Sequence, residues 1–141
     1  VPTIQAEADE LLKCGNEKYN KGYYQSAIND YTQVLRINPN SASAYHNRGM
    51  ARYKLGDKQG AINDYTQALR INPKDADTYK NRAIARYKLG DKQGEIADYT
   101  QILRINSNNV EAYNKRSKAR FVLGDYQGAI DDALKAANLE Y

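Results

Sequence analysis

The sequence has no tryptophan and only one cysteine, one histidine, one methionine and one phenylalanine. Each scarcity closes off a class of chemistry. A lone Cys14 excludes an intramolecular disulfide, so a reducing compartment such as the cytoplasm is weakly favoured. We expect Cys14 to be a small buried residue on a helix rather than a reactive thiol. With His46 as the sole histidine, no His/Cys zinc set can be assembled, and no metal or other cofactor is expected. His46 has no nucleophile at a defined spacing, and the adjacent carboxylates of Asp131 and Asp132 diverge on a helix. Neither a GxxxxGK[ST] nor a GxGxxG phosphate loop occurs. Catalysis is therefore not expected. No apolar run approaches the roughly 18 residues of a membrane span. The chain opens on Val rather than Met, and VPTIQ does not resemble a signal peptide, so we expect an excised piece or a processed product.

What is present is repetition. The segment ARYKLGDKQG occurs at residues 51–60 and again, letter for letter, at 85–94. DYTQ recurs at Asp30, Asp64 and Asp98, and LRIN at Leu35, Leu69 and Leu103, each step being 34 residues. A fixed period of this size marks a stacked repeat array. The 141 residues suit a single domain, 1–141, made of repeats at about 8–41, 42–75, 76–109 and 110–141. Tyrosine, with 13 copies, supplies most of the aromatic packing, and each hydroxyl needs water or a partner.

Helical periodicity runs through every repeat. In 24–37, Ala27, Ile28, Tyr31, Val34 and Leu35 fall at the three- and four-residue spacing of an apolar stripe. First helices are expected over 6–20 and, at about 13 residues each, from near Ala42, Ala76 and Val110, each closed by a glycine at 56, 90 or 124. Residues 1–5 are read as a lead-in. Asp57, Asp91 and Asp125 are candidate N-caps for second helices over 58–71, 92–105 and 126–139. Pro39 and Pro73 close the first two repeats, and Ser107 stands where a third would fall. Connections of two to five residues make sequential helices antiparallel neighbours. No segment alternates with period two. The expected fold is all-α, an α-solenoid of four helix–turn–helix hairpins.

The residues Tyr45, Gly49, Tyr53, Gly56, Asp57, Ala61, Tyr65, Ala68 and Pro73 carry a resemblance to the tetratricopeptide-repeat family. The resemblance covers nearly the whole chain. It implies a right-handed superhelix whose first helices line a concave groove, and a binding module rather than a catalyst. Gly49 and Ala61 are expected to be small because the helices of a hairpin cross there. The third repeat departs, with Ala83, Glu95 and Ile102 at the small positions. Glu95 is expected to turn outward or to pair with a nearby Arg or Lys, since an unpaired buried charge is costly, and it can mark a loosened crossing.

By that resemblance the groove carries four rows: Lys13, Asn47, Asn81 and Lys115; Asn16, Met50, Ile84 and Lys118; Tyr19, Tyr53, Tyr87 and Phe121; and Leu12, His46, Lys80 and Asn114. Asparagine offers donor and acceptor to an extended backbone. Tyrosine and methionine offer adaptable apolar contact. The bland reading of the aromatic row is packing between neighbouring first helices. Groove lysines outnumber Asp9, Asp77 and Glu111, and the net charge is +4, which favours an acidic peptide or protein ligand. Family members that hold chaperone C-termini use a carboxylate clamp. Here Asn16 and Asn47 match it, but Leu12, Asp77 and Asn81 replace its cations, so the full clamp is absent; a partial site around Lys13, Asn16 and Asn47 stays open.

Arg48, Arg82 and Arg116, with Arg52, Arg86 and Arg120, lie on the inter-helix side. We expect them to form a structural ladder with Asp30, Asp64, Asp98 and Asp132. Ala133, Leu134 and Ala137 are expected to form an exposed edge at the last repeat, which would stack on another copy or on further sequence. The leading expectation is an interaction scaffold or adaptor. Self-association through that edge is the alternative. An RNA-binding repeat is disfavoured because the basic residues are evenly spread.

Overall fold

A computed structural model describes residues 3–141. Eight α-helices and no strand occur among them: α1 (Ile4–Asn20), α2 (Tyr24–Ile37), α3 (Ala42–Lys54), α4 (Lys58–Ile71), α5 (Ala76–Lys88), α6 (Lys92–Ile105), α7 (Val110–Val122) and α8 (Tyr126–Leu139). They form four antiparallel hairpins. The chain divides into two compact units, Val1–Pro73 with α1–α4 and Lys74–Tyr141 with α5–α8.

The helix ends follow from local chemistry. Asp57 accepts a hydrogen bond from the Gly60 amide at 2.9 Å, and Asp91 and Asp125 do the same for Gly94 and Gly128. These are the expected N-caps. Tyr23, at the same place before α2, makes no side-chain cap. At the other end, Gly56 has a φ of 89°. Its amide bonds Tyr53 O at 2.9 Å and the next amide, of Asp57, bonds Arg52 O at 2.9 Å, a left-handed C-terminal cap open to glycine. The first helix begins earlier than expected. Thr3 Oγ1 accepts from the Ala6 amide at 3.0 Å, so the helix starts at Ile4. Val1 and Pro2 of the expected lead-in lie outside the described residues.

In the first unit, Ala27, Ile28, Tyr31 and Val34 of the α2 stripe are buried, with Ala44, Ala51, Ala61, Ile62, Tyr65 and Leu69. Leu11, Leu12, Leu35 and Ile37 pack against a cluster of Ala8, Val34 and Ala44. Cys14 is half-buried rather than buried. The bare position at Gly49 belongs to a tyrosine ring: a Cβ there would stand 2.7 Å from Tyr65 Cε1, and one at Gly15 would stand 2.6 Å from Tyr31 Cε1. The second unit buries Tyr79, Ala83, Ala85, Tyr99, Ile102, Leu103, Ala112, Ala119, Ala129 and Ala136. In its last hairpin Ser117 and Ala133 replace the glycine and tyrosine. There Ser117 Oγ donates to Ala129 O at 2.6 Å.

Candidate functional site

The Arg–Asp ladder forms inside each of the last three hairpins. Arg48 grips Asp64 through two hydrogen bonds of 2.8 and 3.0 Å, and Arg52 adds a third at 2.9 Å. Arg82 and Arg86 hold Asp98, which is wholly buried, and Arg116 and Arg120 hold Asp132. The first hairpin is different: Asp30 pairs with Lys18 at 2.8 Å, and Cys14 stands where the others carry the first arginine. The hydrogen bond to Asp30 raises the pKa of Lys18 above its ordinary value. These groups are consumed by hairpin assembly.

In the first unit, two of the expected site residues, Asn16 and Asn47, meet in one place with Tyr31 of the α2 stripe. Asn16 Oδ1 accepts from Tyr31 OH at 2.7 Å and from Asn47 Nδ2 at 2.9 Å. Burial raises the Tyr31 hydroxyl to about 12, so it stays a donor across the ordinary pH range. This neutral triad joins α1, α2 and α3. Lys13 is exposed, while Met50 and Tyr53 are half-buried. His46 lies 5.8 Å from the Tyr65 ring, centroid to centroid.

In the second unit, Ile84, Tyr87, Lys115 and Lys118 line one cleft of about 460 Å³ between α5, α6 and α7. Asn81 is half-buried on α5. The Lys80 ammonium is 3.4 Å from Glu111. Glu95, only 3% exposed, also lines the cleft. It turns inward rather than outward and pairs with Lys92 at 3.4 Å. Burial raises its carboxyl above the usual range, against the pull of Lys92 and Lys115. The composition gave no cue that this carboxylate would be retained inside; the available signal was Lys92, three residues earlier on the same helix.

Two members of the aromatic row meet a tyrosine of their own hairpin. Tyr19 meets Tyr24 at 5.3 Å and Phe121 meets Tyr126 at 5.2 Å, both edge-to-face across the turn of their own hairpin. Tyr87 carries the Lys92 ammonium 4.2 Å above its ring. At α7 and α8, Phe121, Val122, Tyr126, Ile130 and Leu134 are exposed, as are Ala133 and Ala137. No helix is long and apolar enough to cross a membrane, and no group of three or more His, Cys, Asp or Glu that could hold a metal occurs among the described residues.

The repeated hairpins and their polar, aromatic first-helix faces define a protein-interaction repeat module. Sequence signatures described as TPR repeat and tetratricopeptide repeat match residues 15–56, 42–75 and 80–138. The chain belongs to the tetratricopeptide-repeat family. No curated protein sequence matches it. Among solved structures, a crystal structure of MamA has a TM-score of 0.87 at 24% identity, covering 97% of this chain and 86% of that one, a likeness of fold alone. The first TPR of Spaghetti (RPAP3) bound to HSP90 peptide SRMEEVD has a TM-score of 0.78 at 28% identity, covering 87% of this chain and 97% of that one. The second TPR domain of human RPAP3, in complex with HSP70 peptide SGPTIEEVD, has a TM-score of 0.76 at 26% identity, covering 84% of this chain and 98% of that one.

Proposed function

We propose that the chain is a non-catalytic scaffold or adaptor that binds a peptide segment on the groove faces of its first helices, with acidic segments preferred. The observation that carries this reading is the Asn16–Tyr31–Asn47 triad. The buried tyrosine hydroxyl and the Asn47 amide both donate to the Asn16 oxygen there, with the exposed Lys13 one turn earlier on α1. Carboxamides so held supply donors and acceptors to a ligand backbone that loses water on binding. The RPAP3 relatives were solved with peptides ending in acidic sequences, which supports the acidic preference. So does the net charge of +4.

The test is a proteome pull-down with this chain and with an Asn47→Ala, Asn81→Ala, Tyr53→Ala variant shown to fold by circular dichroism. Proteins retained by the parent and lost by the variant support the groove. An unchanged list sinks it. The second reading is self-association through the exposed α7–α8 edge, supported by Ile130 and Leu134, which are 53% and 58% exposed. Sedimentation at rising concentration decides it: one unchanging monomer mass would count against stacking.

A further inference from the structure

Glu95 stands where the second and fourth repeats carry Ala61 and Ala129. It shares its cleft with lysines from three helices: Lys88 of α5, Lys92 of α6, and Lys115 and Lys118 of α7. The two anions of the cleft are already engaged, Glu95 by Lys92 and Glu111 by Lys80. Lys88, Lys115 and Lys118 make no ion pair among the described residues. The cleft is therefore cationic in surplus and its floor is apolar and aromatic.

The contrast with the first unit sharpens the point. Two repeats, or 68 residues, separate Asn16 from Ile84, Ala27 from Glu95, Tyr31 from Tyr99 and Asn47 from Lys115. The first unit uses three of these positions, Asn16, Tyr31 and Asn47, for a neutral hydrogen-bonded triad. The second replaces the acceptor Asn16 by an apolar side chain, the donor Asn47 by a cation, and a small buried residue by a carboxylate. Equivalent places thus carry different recognition chemistry. One suits a backbone amide and the other a charge beside an apolar group.

We propose that this cleft takes an acidic residue of a peptide ligand that has a bulky apolar neighbour, and that Glu95 is an internal competitor for it. The ligand carboxylate meets Lys115 and Lys118. The apolar side chain lies on Ile84, Tyr87 and Val122. Glu95 occupies Lys92, which would otherwise be a further cation for the ligand. The inference rests on the peptide-binding reading above, and it assigns that reading a place and a ligand chemistry. Charge complementarity selects the occupant: surplus ammonium groups over an aromatic floor favour an anion with an apolar flank.

The probes are acetylated, fluorescein-labelled hexapeptides GSELEG, GSQLQG and GSEGEG, together with a labelled ten-nucleotide oligothymidine. Each is titrated at low salt into the intact chain by fluorescence anisotropy, with amide shifts recorded by NMR. The expected result is that GSELEG shifts amides of α5, α6 and α7, while the other two peptides bind about tenfold more weakly or worse. A Lys115→Gln, Lys118→Gln variant loses about tenfold for GSELEG, and Glu95→Gln tightens it several-fold by releasing Lys92. Four results would overturn the inference: equal binding of GSELEG and GSQLQG, no change on Glu95→Gln, stronger binding of the oligonucleotide than of GSELEG, or no binding of GSELEG at all. Shifts confined to α1–α3 would also overturn the cleft and leave the peptide-binding reading standing, which the pull-down judges independently.

Discussion

The ring of Tyr65 lies directly over the bare backbone of Gly49, so close that a methyl group on that glycine would sit 2.7 Å from Cε1. The tyrosine is 2% exposed and burial raises its hydroxyl pKa. A Gly49→Ala change must displace a buried aromatic ring. Gains in helix propensity are about 1 kcal/mol, while overpacking a core costs about 1–3 kcal/mol. Net destabilisation is expected in a urea melt. A more stable Gly49→Ala protein would show that the ring moves away without cost.

Asp98 and Asp30 occupy equivalent places and should respond differently. Asp98 is buried between two guanidinium groups, and removing it leaves Arg82 without its anion and Arg86 with only Asp91 at 3.7 Å. Breaking a buried pair typically costs about 3–5 kcal/mol. Lys18, the partner of Asp30, is 39% exposed on its side chain, so water takes over much of the screening when the carboxylate goes. Asp30→Ala should cost clearly less than Asp98→Ala. Thermal melts of both variants check the ordering. An Asp98→Ala protein melting with the parent would dismiss the ladder as a structural device.

Glycine in the first turn of the second helices has a partner in the cap. A Cβ on Gly60 would collide with the carboxylate of Asp57, and the same holds for Gly94 with Asp91 and Gly128 with Asp125. Repeat one carries Tyr23 and Ser26 at these places and makes no side-chain cap. The two positions should therefore be coupled. Gly60→Ala alone should destabilise by disturbing a cap worth about 1 kcal/mol. In an Asp57→Ala background the same change should stabilise by up to about 1 kcal/mol. A double-mutant cycle by chemical denaturation reads the reversal of sign, and equal effects in both backgrounds would refute the coupling.

Glu95 gives a pH signature. Burial places its folded-state pKa above the ordinary value of 4.5. The folded state then holds the proton more tightly than the unfolded state. Its favourable contribution is complete below the unfolded value and is lost as pH rises through the folded value. The parent should lose stability relative to Glu95→Gln as pH rises from the ordinary carboxylate value of 4.5 upward. Taking the difference between the two proteins cancels the other carboxylates. A difference independent of pH would mean that the carboxylate is not desolvated.

Much of this was legible in the repeat. The seven helices from α2 onward fall where periodicity, aspartate caps and terminal glycines place them, because those signals act within a few residues. Reach across space was harder to read. Asn16 and Asn47 were singled out as binding positions, but the meeting of Asn47 and Tyr31 on the Asn16 oxygen depends on side chains from three helices converging. The Tyr19–Tyr24 and Phe121–Tyr126 contacts cross a tight turn, where helical spacing gives no guide. Gly60 had no explanation from propensity alone, since its reason is the aspartate three residues earlier.

Arg48 also donates from Nη1 to Thr32 Oγ1 at 3.2 Å, so this one side chain on α3 touches both α2 and α4. In the second unit Arg116 makes the matching bond to Thr100 at 3.1 Å, linking α7 to α6 and α8. The 34-residue period is therefore a unit of inheritance and not a unit of opening. Unfolding α3, or α7 in the second unit, breaks the joint to the preceding hairpin and strips a guanidinium from its own buried carboxylate at the same time. Hydrogen exchange in α2, α3 and α4 should share one opening free energy, and the same should hold separately for α6, α7 and α8.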